Sequence, residues 1–249
     1  MKHLIVCLFF FVSACVTPTP PTASFGIQEA YRSYIPAKTV VLACQFWPET
    51  SNFPAHPQSN ISEKDRASFC PSVDEYVLEG FRGQTFMRGH TPKAVNKALL
   101  ESGKMALVGA LSQLWRFEAA RSASCADIPA YYNGLVKPRR EWRQWLLEMS
   151  AATYQSDAIL IPFMAFARED KINDRGLLLA KRALGVVLLL IDTQSGDLIW
   201  AGNRQSTMSR QRLVDQVELT YPDFPPWSGL VREILIDALW REYPGKIFF

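Results

Sequence analysis

Lys137, Arg139, Arg140 and Arg143 place four cations within seven residues. Such groups hold carboxylates and phosphates, and the arginine fork can grip either one at two points. They fall at the start of a helix read over residues 138–154. Positive charge there opposes the helix dipole by about a few tenths of a kcal/mol per residue. A chain that keeps them can use them on anionic lipid, glycan or an acidic partner; the alternative is an ordinary solvated face. A second surface is Tyr221-Pro222-Asp223-Phe224-Pro225-Pro226-Trp227. Aromatics set between prolines form neither a helix nor a central strand. Tyr221, Phe224 and Trp227 can offer rigid anchors to a partner, or the loop can fold back over the core. His90, just before a helix start, reads as a binding or proton-transfer group, or as a solvated loop histidine. Asp192 and Asp197 flank a turn; general acid–base work would need a cleft between them, and turn formation needs none. Arg168, Asp170, Lys171 and Asp174 read as a solvated loop.

Reactive constellations are otherwise missing from the sequence. Beyond the first residues the histidines are His56 and His90. There is no Gly-x-Ser-x-Gly, no His-Glu-x-x-His, no Walker loop and no Gly-x-Gly-x-x-Gly. The expectation is a chain with no catalytic site, no metal and no nucleotide cofactor. A net charge of +3 is too weak to argue for nucleic acid. With 48% apolar and 20% charged residues, the 249-residue chain has the composition of a folded domain.

The chain opens with Lys2 and His3, then an apolar stretch from Leu4 to Val12 and the small residues Ser13 and Ala14. That is the plan of a secretory leader, too short to span a bilayer, which takes about 20 residues. Val12-Ser13-Ala14-Cys15 resembles the bacterial lipobox. The resemblance implies cleavage after residue 14 and acylation of Cys15, the covalent lipid replacing any cofactor. Two or three acyl chains make release from a membrane negligible. Val16, where an Asp often retains such proteins in the inner membrane, leans toward the outer membrane. Residues 16–22, rich in Pro and Thr, read as an extended spacer. With residues 23–36 they form a tether, and residues 37–249 form one domain.

Cys44 lies within the apolar run 39–44 and reads as a small buried hydrophobe. With three thiols at most one internal pair forms and one stays over; Cys70 and Cys125 both fall in expected loops and are the pair that can form it, or they stay unpaired. An oxidising compartment permits the bridge.

The domain is expected to open with a strand at 38–47 and a long loop at 48–71. A capping box, Ser72-Val73-Asp74-Glu75, then starts a helix. A short strand at 84–88 precedes a helix at Thr91-Pro92, with Pro at the first helical position. After a break at Gly103 a helix runs over 104–121. Helices at 129–136 and 138–154 follow, the second burying Trp142, Trp145, Leu146 and Met149. Residues 158–166 form a strand in which Pro162 suggests an edge or a bulge. Residues 183–191 and 198–202 form a hairpin about the 192–197 turn, and a last helix spans 228–242. This order fits an α/β fold: one mixed sheet covered by helices, with an extra helical insertion at about 104–154.

The opening strand at 38–46, the strand beginning Asp157-Ala158-Ile159-Leu160, and the hairpin Ile191-Asp192-Thr193-Gln194-Ser195-Gly196-Asp197-Leu198-Ile199-Trp200 together look like a known group. They resemble envelope lipoproteins whose domain is like the curli-export lipoprotein and the amino-terminal domain of TolB. The resemblance spans residues 37–242, with only the hairpin close. It implies the α/β fold and a place among envelope proteins whose roles range from pore subunits to synthase activators. The apolar run 177–191 does not alternate as a membrane hairpin would, which speaks against a pore. The expected function is a lipid-anchored, non-catalytic assembly subunit on the periplasmic side of the outer membrane, with an envelope protein partner and possible homo-oligomers. The alternative is a module binding glycan, lipid or peptidoglycan, and the least favoured class is a periplasmic enzyme.

Overall fold

Residues 186–191 carry no exposed side chain, and they divide between two cores. Val187, Leu189 and Ile191 point to one, Val186, Leu188 and Leu190 to the other. A strand apolar on both faces must lie inside a sheet covered on both sides. The computed structural model of the chain, which describes residues 26–27, 36–46, 60–67, 69–82, 88–115, 128–213 and 220–242, has that architecture.

Its elements run in order: β1 (Gly26–Ile27), β2 (Lys38–Val41), β3 (Gln45–Phe46), α1 (Glu63–Ala67), α2 (Cys70–Arg82), β4 (Arg88–His90), α3 (Pro92–Glu101), α4 (Ala106–Leu114) and α5 (Ile128–Tyr131). A π-helical turn (Tyr132–Val136), α6 (Arg140–Ala152), β5 (Ala158–Asp174), β6 (Leu177–Asp192), β7 (Leu198–Leu213), α7 (Trp227–Leu235) and a 3-10 turn (Leu239–Glu242) complete it. Among the described residues one mixed sheet has the order β1-β7-β6-β5-β2-β4, with β3 also beside β5. β4, β2 and β5 are parallel; β5, β6 and β7 form an antiparallel meander, with β1 antiparallel on its outer edge. The helices α3 to α6 pack on one face, against Val40, Ile159 and Val187; α2 and α7 pack on the other, against Val41, Leu160 and Val186. The fold class is the expected one.

Local chemistry explains most boundaries. Thr91 caps α3, its side chain accepting from the Ala94 amide at 3.2 Å, with Pro92 in the first turn. Gly103, at φ +67°, ends α3: its amide donates to Leu100 O at 3.1 Å and that of Lys104 to Leu99 O at 2.8 Å. In α6, Trp142, Trp145, Leu146 and Met149 are all buried, as their spacing requires. Asp192 Oδ1 accepts from the amides of Gln194 (2.9 Å) and Ser195 (2.7 Å), so this carboxylate builds the β6–β7 turn.

Several expectations need correction. Pro162 is neither on an edge strand nor in the bulge, which falls between Met164 and Phe166. Leu160 turns its carbonyl to β2, accepting from Leu42 N at 3.0 Å. Pro162, two residues on, turns its missing donor to the same side, level with the gap between β2 and β3. No ladder bond is lost there. The capping box does not act as one. Helix α2 already begins at Cys70, because Pro71 fits a first turn, and Phe69 O accepts from Ser72 N and Val73 N. Arg168, Asp170, Lys171 and Asp174 are not in a loop. They continue β5, which runs in register with β6 to the turn at Arg175 (φ +48°) and Gly176 (φ +85°). Two positive φ angles in a two-residue hairpin loop make the tight turn that suits twisted strands.

The expected disulfide is also corrected. Cys70 pairs with Cys44, Cα to Cα 5.5 Å, inside the usual span of a disulfide. β2 stops at Val41, so Cys44 sits in the crossing to β3 and meets the first residue of α2, instead of lying inside a continuous strand. Cys125 lies outside the described residues. So do the leader, Cys15 and residues 16–25. Gly26 and Ile27, placed by the sequence in the tether, pair with Ala201 and Trp200 as a sheet strand.

Candidate functional site

The four cations singled out by the sequence converge. Lys137, Arg139, Arg140 and Arg143 line one open depression of about 640 Å³ with Asn133 and Pro138. The π-helical turn supplies Asn133, its last residues lead through Lys137 and Pro138, and the first turn of α6 supplies the arginines. This corner is held from below. Tyr132, fully buried, donates its hydroxyl to Gly196 O at 2.7 Å and accepts from Trp142 Nε1 at 2.9 Å. The π turn is thereby pinned to the β6–β7 turn and to α6. Arg139 takes an extended backbone (φ −74°, ψ 130°) as the helix N-cap, without a side-chain cap bond.

The cations are unequally engaged. Lys137 Nζ pairs with Asp197 Oδ1. Arg139 donates to Leu114 O at 2.7 Å and stands 3.9 Å from Glu141. Arg140 and Arg143 are exposed, and neither has an acidic partner among the described residues. Three and four residue spacings set Arg139, Arg140 and Arg143 side by side on the helix surface. Two unpaired guanidinium groups beside a helix N-terminus form an anion-accepting surface. Asn133 adds an amide that can donate to or accept from a bound group. Asp197, read as a turn former, joins the site through Lys137; its side chain comes from 60 residues away and no local signal marks it.

The aromatic loop goes elsewhere. Arg182 lies 5.2 Å from the Phe224 ring and 4.5 Å from the Trp227 ring, and donates to Pro225 O at 2.6 Å. Glu169 holds the same guanidinium at 2.6 and 2.8 Å. Lys171 stands over Tyr221 (5.7 Å) and Phe224 (5.8 Å), and Trp227 stacks on Phe69 at 4.6 Å. These rings clamp the chain's own strands, each cation–ring contact adding about 0.5–2 kcal/mol. They do not meet the basic depression. His90 stacks on Tyr154 at 4.0 Å; burial first, then Lys38, lowers its pKa. Among the described residues no cluster of His, Cys, Asp or Glu could hold a metal ion, and no helix is long and apolar enough to cross a membrane.

One half-buried carboxyl escaped the sequence reading. Asp74 Oδ1 accepts from the Cys44 amide at 2.8 Å, beside the disulfide. Burial pushes its pKa up to about 6, against a partial lowering by that hydrogen bond. The folded state then holds a proton that the unfolded chain, at 3.8, has already lost. The stabilisation from the neutral acid is complete below about pH 4 and disappears as pH rises through about 6. Asp74→Asn keeps an acceptor without the charge. It should raise stability at pH 7 by about 1–2 kcal/mol and flatten the decline between pH 4 and 7. Urea midpoints at both pH values check this; equal pH slopes in the two proteins would contradict it.

No family model matches the sequence, and no curated protein matches it. Solved structures overlap it in part. Lipoprotein GNA1162 from Neisseria meningitidis is 8% identical with a TM-score of 0.33, covering 71% of this chain and 84% of that one. The LpoB C-terminal domain from Salmonella enterica is 9% identical with a TM-score of 0.33, covering 68% and 82%. The PelC dodecamer from Paraburkholderia phytofirmans is 11% identical with a TM-score of 0.35, covering 88% and 95%. Overlaps this partial are likenesses only.

Proposed function

We propose that this chain is a lipid-anchored, non-catalytic subunit of a cell-envelope assembly, which docks an acidic surface of a partner protein in the depression at the start of α6. The carrying observation is Arg140 and Arg143, exposed, adjacent and without acidic partners among the described residues. Lys137 and Arg139, already held by Asp197 and Leu114, set the rim. The lipobox-like Cys15 supports a position at the membrane, facing the periplasm from the outer membrane.

The test is affinity purification from detergent-solubilised membranes with the wild type and with Arg140→Glu/Arg143→Glu. The wild type should retain a protein partner, and the charge reversal should reduce its recovery at least about tenfold. The substitutions are on the surface, so the thermal midpoint should stay within about 2 °C. Recovery of the wild type only as a free monomer would sink the reading. Charge-dependent retention on anionic glycan or peptidoglycan, with no protein partner, would turn it into a polymer-binding module.

A further inference from the structure

The outer half of the meander projects as an arm. Beyond residue 167 on β5 and 203 on β7, most residues leave the core, while β6 keeps only Leu178, Ala180 and Leu184 buried below residue 185. One face of the arm is taken by the 221–227 loop, through Lys171 and Arg182. On the other face Ile172 stands opposite Leu179, and Leu177 stands opposite Leu213. These four aliphatics are cross-strand or next-but-one neighbours at the tip. Leu213 is 77% exposed and Ile172 39%. On this face Lys181 and the turn residue Arg175 flank them, with Asp174 and an Asp170 held by Arg168, while Arg210 and Arg212, opposite Ala180 and Leu178, stand on the other face of the same tip.

The direction of the chain says what faces this tip. β1 is antiparallel to β7, with Gly26 opposite Ala201 and Ile27 opposite Trp200. β7 runs from Ala201 to Leu213 toward the tip, so the chain enters β1 from the tip side. From Cys15 to Gly26 there are eleven residue steps, at most about 40 Å of extended chain. From Ala201 to Leu213 there are twelve strand steps, again about 40 Å. A lipid on Cys15 can therefore lie no farther from Gly26 than the arm itself reaches.

We propose that the tip of the arm rests on an anionic phospholipid surface, with Ile172, Leu177, Leu179 and Leu213 dipping into the interface and Arg175, Arg210 and Arg212 on the headgroups. Apolar side chains ringed by basic ones bind interfaces in this way, and the basic residues make the contact lipid- and salt-dependent. The inference rests on acylation of Cys15 but not on the α6 depression. It gives the molecule an orientation: the arm stands toward the membrane and holds the body off it.

Hydrogen exchange on the membrane-extracted full protein tests it, after reconstitution into vesicles of phosphatidylglycerol and phosphatidylcholine, into phosphatidylcholine alone, or in detergent. Amides of 170–181 and 207–213 should exchange at least fivefold more slowly on the anionic vesicles than in the other two. Arg175→Glu/Arg210→Glu and, separately, Leu213→Glu should remove that protection with core exchange in β2 and in residues 186–191 of β6 unchanged. Arg140→Glu/Arg143→Glu should leave it intact. Equal tip exchange in all three settings, protection that survives the tip substitutions, or protection found at residues 133–143 instead would overturn the proposal. The mass of the N-terminal peptide reads acylation separately; an unmodified Cys15 removes the premise and the proposal with it.

Discussion

Trp142→Ala should destabilise the protein by about 3–5 kcal/mol, a large part of the stability of an ordinary domain. The indole is fully buried. It stacks on Trp145 at 5.0 Å and meets Trp115 edge-on at 5.7 Å. Its removal leaves a cavity among rigid rings that cannot close around it. The loss also reaches the basic depression. Trp142 Nε1 donates to Tyr132, whose hydroxyl holds Gly196. That chain of bonds keeps the π turn against the β6–β7 turn, where Lys137 meets Asp197. Trp142→Phe keeps most of the ring but loses the donor, and should cost less than half as much. Urea unfolding followed by circular dichroism measures both. A loss under 1 kcal/mol for Trp142→Ala would mean that the core beneath α6 is not packed as described.

The same corner shows what the sequence could and could not reveal. The α6 stripe of Trp142, Trp145, Leu146 and Met149 was legible because helical spacing alone puts those residues on one face. The four cations were legible because they are neighbours in sequence. Asn133 and Asp197 were not, since one comes from the π turn and the other from across the sheet. The β6–β7 hairpin could be read from the turn chemistry of Asp192 and Gly196. The arm could not. Residues 168–174 have the charges of a loop, and they are a strand because β6 lies beside them in register; their own pattern does not require it. Its turn uses Arg175 at a positive φ, where a glycine or asparagine would have given the signal. Asp74 was misread for a related reason: with Cys70 as the first helical residue, it faces the Cys44 amide instead of lying in the first turn of a helix capped by Ser72.

Opening the Cys44–Cys70 disulfide should cost about 2–4 kcal/mol. The bridge closes a loop with a sequence separation of 26, for which chain entropy alone gives about 3.5 kcal/mol. The native side of the balance points the same way. The bridge fastens the crossing between β2 and β3 to the start of α2, and Asp74 adds a hydrogen bond to the same crossing. Val73 and Val77 on α2 lie fully buried in the same core as Val41. Loosening the crossing therefore frees the helix that covers this face. Cys44→Ala and Cys70→Ala should lower stability equally, and the double variant should add little, because either change removes the same bond. Reductant should lower the wild-type midpoint and leave the variants unmoved. Peptide mapping without reduction should find Cys44 joined to Cys70. Full stability in Cys44→Ala, or a Cys70–Cys125 peptide in the map, would overturn this pairing and free the crossing that Asp74 now shares with it.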